Sequence, residues 1–216
     1  MKRILSLAAM LLCSMAALAQ SPEEIIARMD EAMSAHEKDG MIMTLEMKMP
    51  IIGTMSTTSY IKGDKMRMEM EPMGKKVISW SDGVTSWTYN VESNEIEITK
   101  KTATEESSSS GKDEADMLSG ITEGYDVSLQ KETSEAWYII CKKSKSNKEK
   151  DDPKRMDLVV LKKNYYPKSL SAKMSGVTVT IRDVDYGVTE EQVTFNPSDY
   201  PDAKIVDKRQ ATVPQA

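Results

Sequence analysis

The chain has 216 residues, a formal net charge of −5, 39% hydrophobic residues, one histidine and two cysteines. That length suits a single domain with a real core. The acidic balance argues against nucleic acid as the main partner, and so few cysteines exclude a disulfide framework. Methionine is the unusual feature: 17 Met stand against one Phe.

Residues 1–19 carry Lys2 and Arg3, an apolar run from Ile4 to Leu12, and Ala17-Leu18-Ala19. This is the pattern of a secretory signal peptide cleaved after Ala19, too short and broken to span a bilayer. Cleavage leaves an exported chain that starts at Gln20, and removal of Lys2 and Arg3 takes the net charge from −5 to −7. Cys13 follows Met10-Leu11-Leu12 and lacks the small residue that a lipid-modified cysteine requires before it. No later stretch approaches ~18 consecutive apolar residues, so a second membrane anchor is not expected.

Ser21-Pro22-Glu23-Glu24 reads as a capping box with proline at the first helical position. Ile25, Ile26, Met29, Ala32 and Met33 then recur at helical spacing, which predicts an amphipathic helix over 22–37. After Gly40 the period becomes two. Met41, Met43, Leu45, Met47 and Met49 alternate with Ile42, Thr44, Glu46 and Lys48, and after the Gly63-Asp64 turn Met66, Met68 and Met70 alternate with Arg67, Glu69 and Glu71. Such alternation belongs to antiparallel strands with one buried face, and the apolar set is the natural inward choice. Further strands are expected at 54–62, 76–81, 85–91, 95–100, 125–131, 136–143, 156–162, 169–174, 177–185 and 192–195.

Residues 102–116 read as a polar, mobile loop, 116–121 as a short helix carrying Met117, Leu118 and Ile121, 145–154 as an exposed charged loop, and 209–216 as a disordered tail. The fold class is mainly β with an α lid. About eleven antiparallel strands form a large curved sheet or half-open barrel, covered by the N-terminal helix and the short mid-chain helix.

Catalysis has little support. Cys141 sits in Trp137-Tyr138-Ile139-Ile140-Cys141, where a buried strand thiol is the simpler reading, and the lone His36 ends the first helix. Asp183 and Asp185 share a strand face by alternation, as two carboxylates in a glycosidase do, but acidic residues on a solvated face are commoner. No enzyme, no cofactor and no metal centre is the expectation.

The hairpin Asp82-Gly83-Val84-Thr85-Ser86-Trp87-Thr88-Tyr89 follows a Met-rich strand, and the chain closes with Phe195-Asn196-Pro197 and then Ile205-Val206. This order resembles the LolA family of periplasmic outer-membrane lipoprotein carriers and the wider LolA/LolB-like superfamily. The layout spans Ser21–Asp207, within a single domain of residues 20–208, and is sharp only in the 77–90 hairpin. Family carriers place an arginine before a proline near Gly63, which helps hold the lid; Lys62-Gly63-Asp64 stands here instead. Taken singly, Trp87 and Tyr89 also fit an ordinary aromatic core.

The resemblance implies a periplasmic carrier of lipoprotein acyl chains or other lipid, working between an inner-membrane donor and an outer-membrane acceptor. A monomer is expected. Candidate cavity residues are Met43, Met47, Met49, Met66, Met68, Met70, Trp87 and Tyr89, with Met29 and Met33 on the lid. Unbranched, polarizable methionines suit a wall that repacks around variable guests. Two other readings remain: a sensor or protein-binding domain of the same fold, and a Met-rich copper protein, since thioethers select Cu(I).

Overall fold

The structure is a computed structural model and describes residues 20–100, 122–150 and 152–209. The expected signal peptide, the 102–116 loop, the 116–121 helix and the tail beyond 209 lie outside the described residues.

Helix α1, Pro22–Ser34, starts as its sequence dictates. Ser21 Oγ accepts from the Glu24 N–H at 3.1 Å, and the Glu24 carboxylate accepts from the Ser21 N–H at 3.2 Å. Its stripe of Ile25, Ile26, Met29 and Met33 is buried. The helix stops at Ser34, three residues short of the expected end, and a tighter 3₁₀ turn, Glu37–Asp39, leads into Gly40. His36 Nδ1 meets the Asp39 carboxylate at 2.7 Å across that turn.

Twelve strands follow: β1 Met41–Met49, β2 Gly53–Lys62, β3 Lys65–Met70, β4 Val77–Ser81, β5 Thr85–Asn90, β6 Glu95–Lys100, β7 Tyr125–Glu132, β8 Ala136–Lys143, β9 Arg155–Leu161, β10 Pro167–Met174, β11 Val177–Tyr186 and β12 Lys204–Asp207. They form one sheet in the order β12-β6-β5-β4-β3-β2-β1-β11-β10-β9-β8-β7, whose two end strands do not pair. The result is the curved, unclosed half-barrel with a helical cover read from the sequence.

Three details depart from that reading. The strand expected at 192–195 is a single helical turn, α2, Glu190–Val193. Thr189 Oγ1 accepts from the Gln192 N–H and the Gln192 side chain accepts from the Thr189 N–H, so a second capping box overrides the local β-propensity. The C-terminal segment adds a twelfth strand, and β12 runs parallel to β6 in an otherwise antiparallel sheet. Finally, the β1–β11 register shifts between Ile42 and Thr44, with Asp183 at φ 56. This bulge lets Ile181 and Val184 both join the core. Strict alternation is lost there, and Asp183 turns to pair with Arg182 rather than matching Asp185.

Gly40 joins the helix to the sheet at φ 75, where an added Cβ would sit 2.7 Å from the Ile61 carbonyl oxygen and 2.9 Å from Val188 Cβ. Both the backbone conformation and the space demand glycine. Gly53, at φ 95 on a hairpin tip, has open space around it. We expect Gly40→Ala to lose about 2 kcal/mol or more of stability in urea unfolding, and Gly53→Ala to lose clearly less. Equal losses would show that the close approach at Gly40 is not a constraint.

Candidate functional site

Strand register assigns every side chain to a face. Met41 lies opposite Ile61, which lies opposite Met66; Met43, Ser59 and Met68 form the next row, and Leu45, Thr57 and Met70 the one after. Met47 faces Met55 across β1 and β2. On the other side of β1 the same face continues through Ile181, Leu170, Leu158 and Ile139, and through Val179, Ala172, Met156 and Cys141. Trp137 and Val160 add a further row.

Helix α1 lies on this concave surface. Ile25, Ile26, Met29 and Met33 join one buried cluster with Met41, Met43, Ile61, Met66, Trp137, Ile139 and Leu158, and Leu45 and Met68 pack against it. The lid methionines Met29 and Met33 and the strand methionines Met43, Met66 and Met68 are therefore brought together. Burial falls off along the strands. Met41 and Met43 are buried, whereas Met47, Met49 and Met70 are half-buried.

Trp87 and Tyr89 are not part of this surface. Met66 and Met68 oppose Ser81 and Ser79 on β4, which oppose Ser86 and Thr88 on β5. Trp80 opposes Arg67 and Trp87, so the aromatic residues point to the convex side. There they meet the C-terminal connection. Phe195 stacks on Trp87 at 5.4 Å, and Tyr200 packs on Tyr89 at 4.5 Å and on Trp80 at 5.7 Å. With buried Ile78, Ile96 and Ile98 they form a second core. Arg67 lies beneath Trp80 and Tyr60, ion-paired to Glu69, and its Nε is buried without a hydrogen-bond partner. The expectation that the hairpin aromatics line the same wall as the methionines is corrected. The concave side of β4 and β5 carries hydroxyls instead, with Ser79 and Thr88 side chains 3.3 Å apart.

The sequence-based set also missed contributors. Met41, Leu45, Ile61, Met156, Trp137, Ile139, Leu158 and Leu170 all belong to the concave cluster or its margin. Their signal was present as alternation in Trp137-x-Ile139-x-Cys141 and Met156-x-Leu158-x-Val160.

Polar contacts at the sheet end tie α1 down. Tyr165, in the β9–β10 turn at φ 60, stacks on Trp137 at 5.3 Å and accepts from Arg28 Nη1 at 3.0 Å and Gln20 Nε2 at 3.2 Å. These bonds, Gln20 first and then Arg28, hold its hydroxyl below the usual tyrosine range. Next to Gly63, Lys62 Nζ donates to the Val188 carbonyl at 2.7 Å and the Asp39 carbonyl at 3.4 Å. Lysine thus fastens the helix–strand junction to the segment that precedes α2.

Cys141 is fully buried beneath this surface, and burial, then Asp157, pushes its thiol up to about 11. Among the described residues no group of three His, Cys, Asp or Glu side chains converges to hold a metal ion. Thioethers of Met43 and Met68 are separated by the intervening Ser59 on β2, roughly 10 Å between Cα positions.

Because the thiol's folded pKa is raised, the neutral thiol is favoured by folding. That stability is complete below the unfolded value near 9 and is lost as pH rises toward 11. Folded protein at pH 8 is expected to resist an aromatic disulfide reagent and to react fully in urea. Stability should also fall between pH 9 and 11 by more than in Cys141→Ala. Rapid labelling of folded protein would contradict the burial.

No family model and no curated protein matches the chain. Among solved structures, LprF from Mycobacterium bovis shares the fold with a TM-score of 0.51 at 9% identity, over 83% of this chain and 99% of that one. An uncharacterized conserved protein from Thermus thermophilus matches with a TM-score of 0.43 at 17% identity, covering 87% and 99% of the two chains. A LolA superfamily protein from Nitrosomonas europaea matches at 0.33 and 10%, covering 83% and 100%. The likeness is one of fold.

Proposed function

We propose that the chain is a periplasmic carrier that holds acyl chains of lipoproteins or other lipid on the concave face beneath α1, without catalysis. One observation carries this reading. The concave face of β1, β3 and β8–β11 is lined by methionines and aliphatic residues, interrupted on β2 by Ser59 and Thr57, and the described cover on it is a single amphipathic helix. Methionines also fill ordinary cores, but so many flexible, polarizable side chains gathered on one surface suit a wall that must fit varied chains.

Magnitudes support the exchange. Acyl burial contributes ~0.8 kcal/mol per CH₂. Four buried side chains of α1, at ~2 kcal/mol each, contribute on the order of 8 kcal/mol. A chain of about a dozen CH₂ groups therefore matches what α1 gives up in leaving its seat. Cargo and lid compete for the same methionines, and the balance is close enough for loading and release. The resemblance to the LolA carriers supports export and a transfer role, with a donor at the inner membrane and an acceptor at the outer membrane.

Native mass spectrometry of protein purified from the periplasm without detergent tests this. Lipid-sized adducts that dissociate on activation are expected. A uniformly empty protein, or one carrying a copper ion in their place, would overturn the reading. A companion variant is Met68→Glu. Met68 is half-buried at the edge of the cluster, so an empty groove can hydrate the carboxylate while a filled one cannot. Retention of a fluorescent fatty-acyl probe should fall by tenfold or more, with a smaller effect on the melting temperature. An early melt with unchanged probe binding would place Met68 in plain core.

A further inference from the structure

The sheet ends in two neighbouring hairpin tips whose chemistry differs from the rest of the chain. At the β1–β2 tip Ile51 is 97% exposed and Ile52 68%. Beside it, the β10–β11 tip exposes Met174. Register places the two together: Lys48 of β1 pairs with Thr178 of β11, which pairs with Lys173 of β10. Lys48 and Lys173 thus lie in one row on the convex face, both exposed, just behind the apolar tips. Residues 47–56 and 172–179 contain these two lysines and no acidic residue, in a chain whose net charge is −5. On the same end of the sheet, the β3–β4 connection exposes Met73 at 93%.

Isolated exposed apolar residues need no explanation, but here Ile51 and Ile52 are adjacent on a hairpin tip with cations close behind. That arrangement matches a bilayer surface, with apolar groups entering the acyl boundary and lysines level with anionic headgroups. A protein partner does not need the purely cationic row. The concave face adds direction. From Ile51 inward the same strand presents Met49, Met47 and Leu45, half-buried, and then Met43 and Met41, buried. An apolar track therefore runs from the exposed tip to the methionines buried against α1.

We infer that the β1–β2 and β10–β11 tips dock the protein on an anionic lipid bilayer, with Ile51 and Ile52 inserted and Lys48 and Lys173 at the headgroups. The bilayer's role as source or destination of cargo rests on the carrier reading above; the docking itself does not.

Sedimentation with vesicles of phosphatidylcholine, with and without phosphatidylglycerol, tests the inference on the full mature chain. Wild type should bind the anionic vesicles, more weakly as salt rises. Ile51→Asp with Ile52→Asp should lose at least about tenfold of that binding. Lys48→Glu with Lys173→Glu should lose about 30-fold on anionic vesicles and little on neutral ones. These positions are exposed, so thermal melts should match wild type. Wild type that ignores both vesicle types, or an aspartate pair that sediments like wild type, overturns the docking site. Fluorescent acyl-probe binding from vesicle-free solution is the separate readout. Its retention in the tip variants separates docking from carrying, and its absence in wild type fells the carrier reading while leaving a positive sedimentation result for the tips intact.

Discussion

The structure depends on one contact, the seating of the α1 apolar stripe on the concave face of the sheet. Without Ile25, Ile26, Met29 and Met33 the methionines of β1 and β3 and the aliphatic residues of β8–β10 would lose that cover. The polar ties are lesser. The Arg28 and Gln20 bonds to Tyr165 are exposed or partly so, and each contributes about 1 kcal/mol at most. The helix is held by non-directional burial, the same interaction that an acyl chain offers. A directional latch would have to be broken, whereas burial can be handed over.

The other face has the opposite character. Trp80 and Trp87 are cross-strand partners capped by Phe195 and Tyr200, and buried Ile78, Ile96 and Ile98 complete the packing. Aromatic side chains have few rotatable bonds and prefer specific offset or edge geometries, so this side is built to stay put. Arg67 on this face lies between Tyr60 and Trp80, half-buried and paired with Glu69. The molecule thus separates an aromatic cluster on the convex side of β4–β6 from a methionine-rich concave face, and β12 fastens the C-terminal segment beside β6.

Most of the architecture was legible because strand and helix periods differ so clearly. The capping box at Ser21, the alternation in 41–49 and 66–70, and the Asp82-Gly83 turn each led to the correct element. The face of Trp87 and Tyr89 was not legible. Parity between β3 and β5 depends on how many residues the connections 71–76 and 82–84 take out of the ladder, and spacing along the chain does not state that. A strand at 192–195 would carry Phe195 along the sheet, and only the helical turn Glu190–Val193 brings Phe195 and Tyr200 onto Trp87 and Tyr89. The Thr189–Gln192 box was the signal for the helical turn there. The bulge at Asp183 was hidden for a related reason, since one left-handed residue breaks alternation without any glycine to mark it.

The central claim is that cargo and α1 share the concave face, and the most direct measurement is photo-crosslinking with an acyl chain bearing a diazirine, mapped by peptide mass spectrometry. The account predicts tags on β1 and β3 at Met43, Met47, Met66 or Met68 and on the inner side of α1. Tags confined to Trp80, Trp87, Phe195 or Tyr200 on the convex face, or tags scattered over the surface without competition by unlabelled lipid, would contradict it.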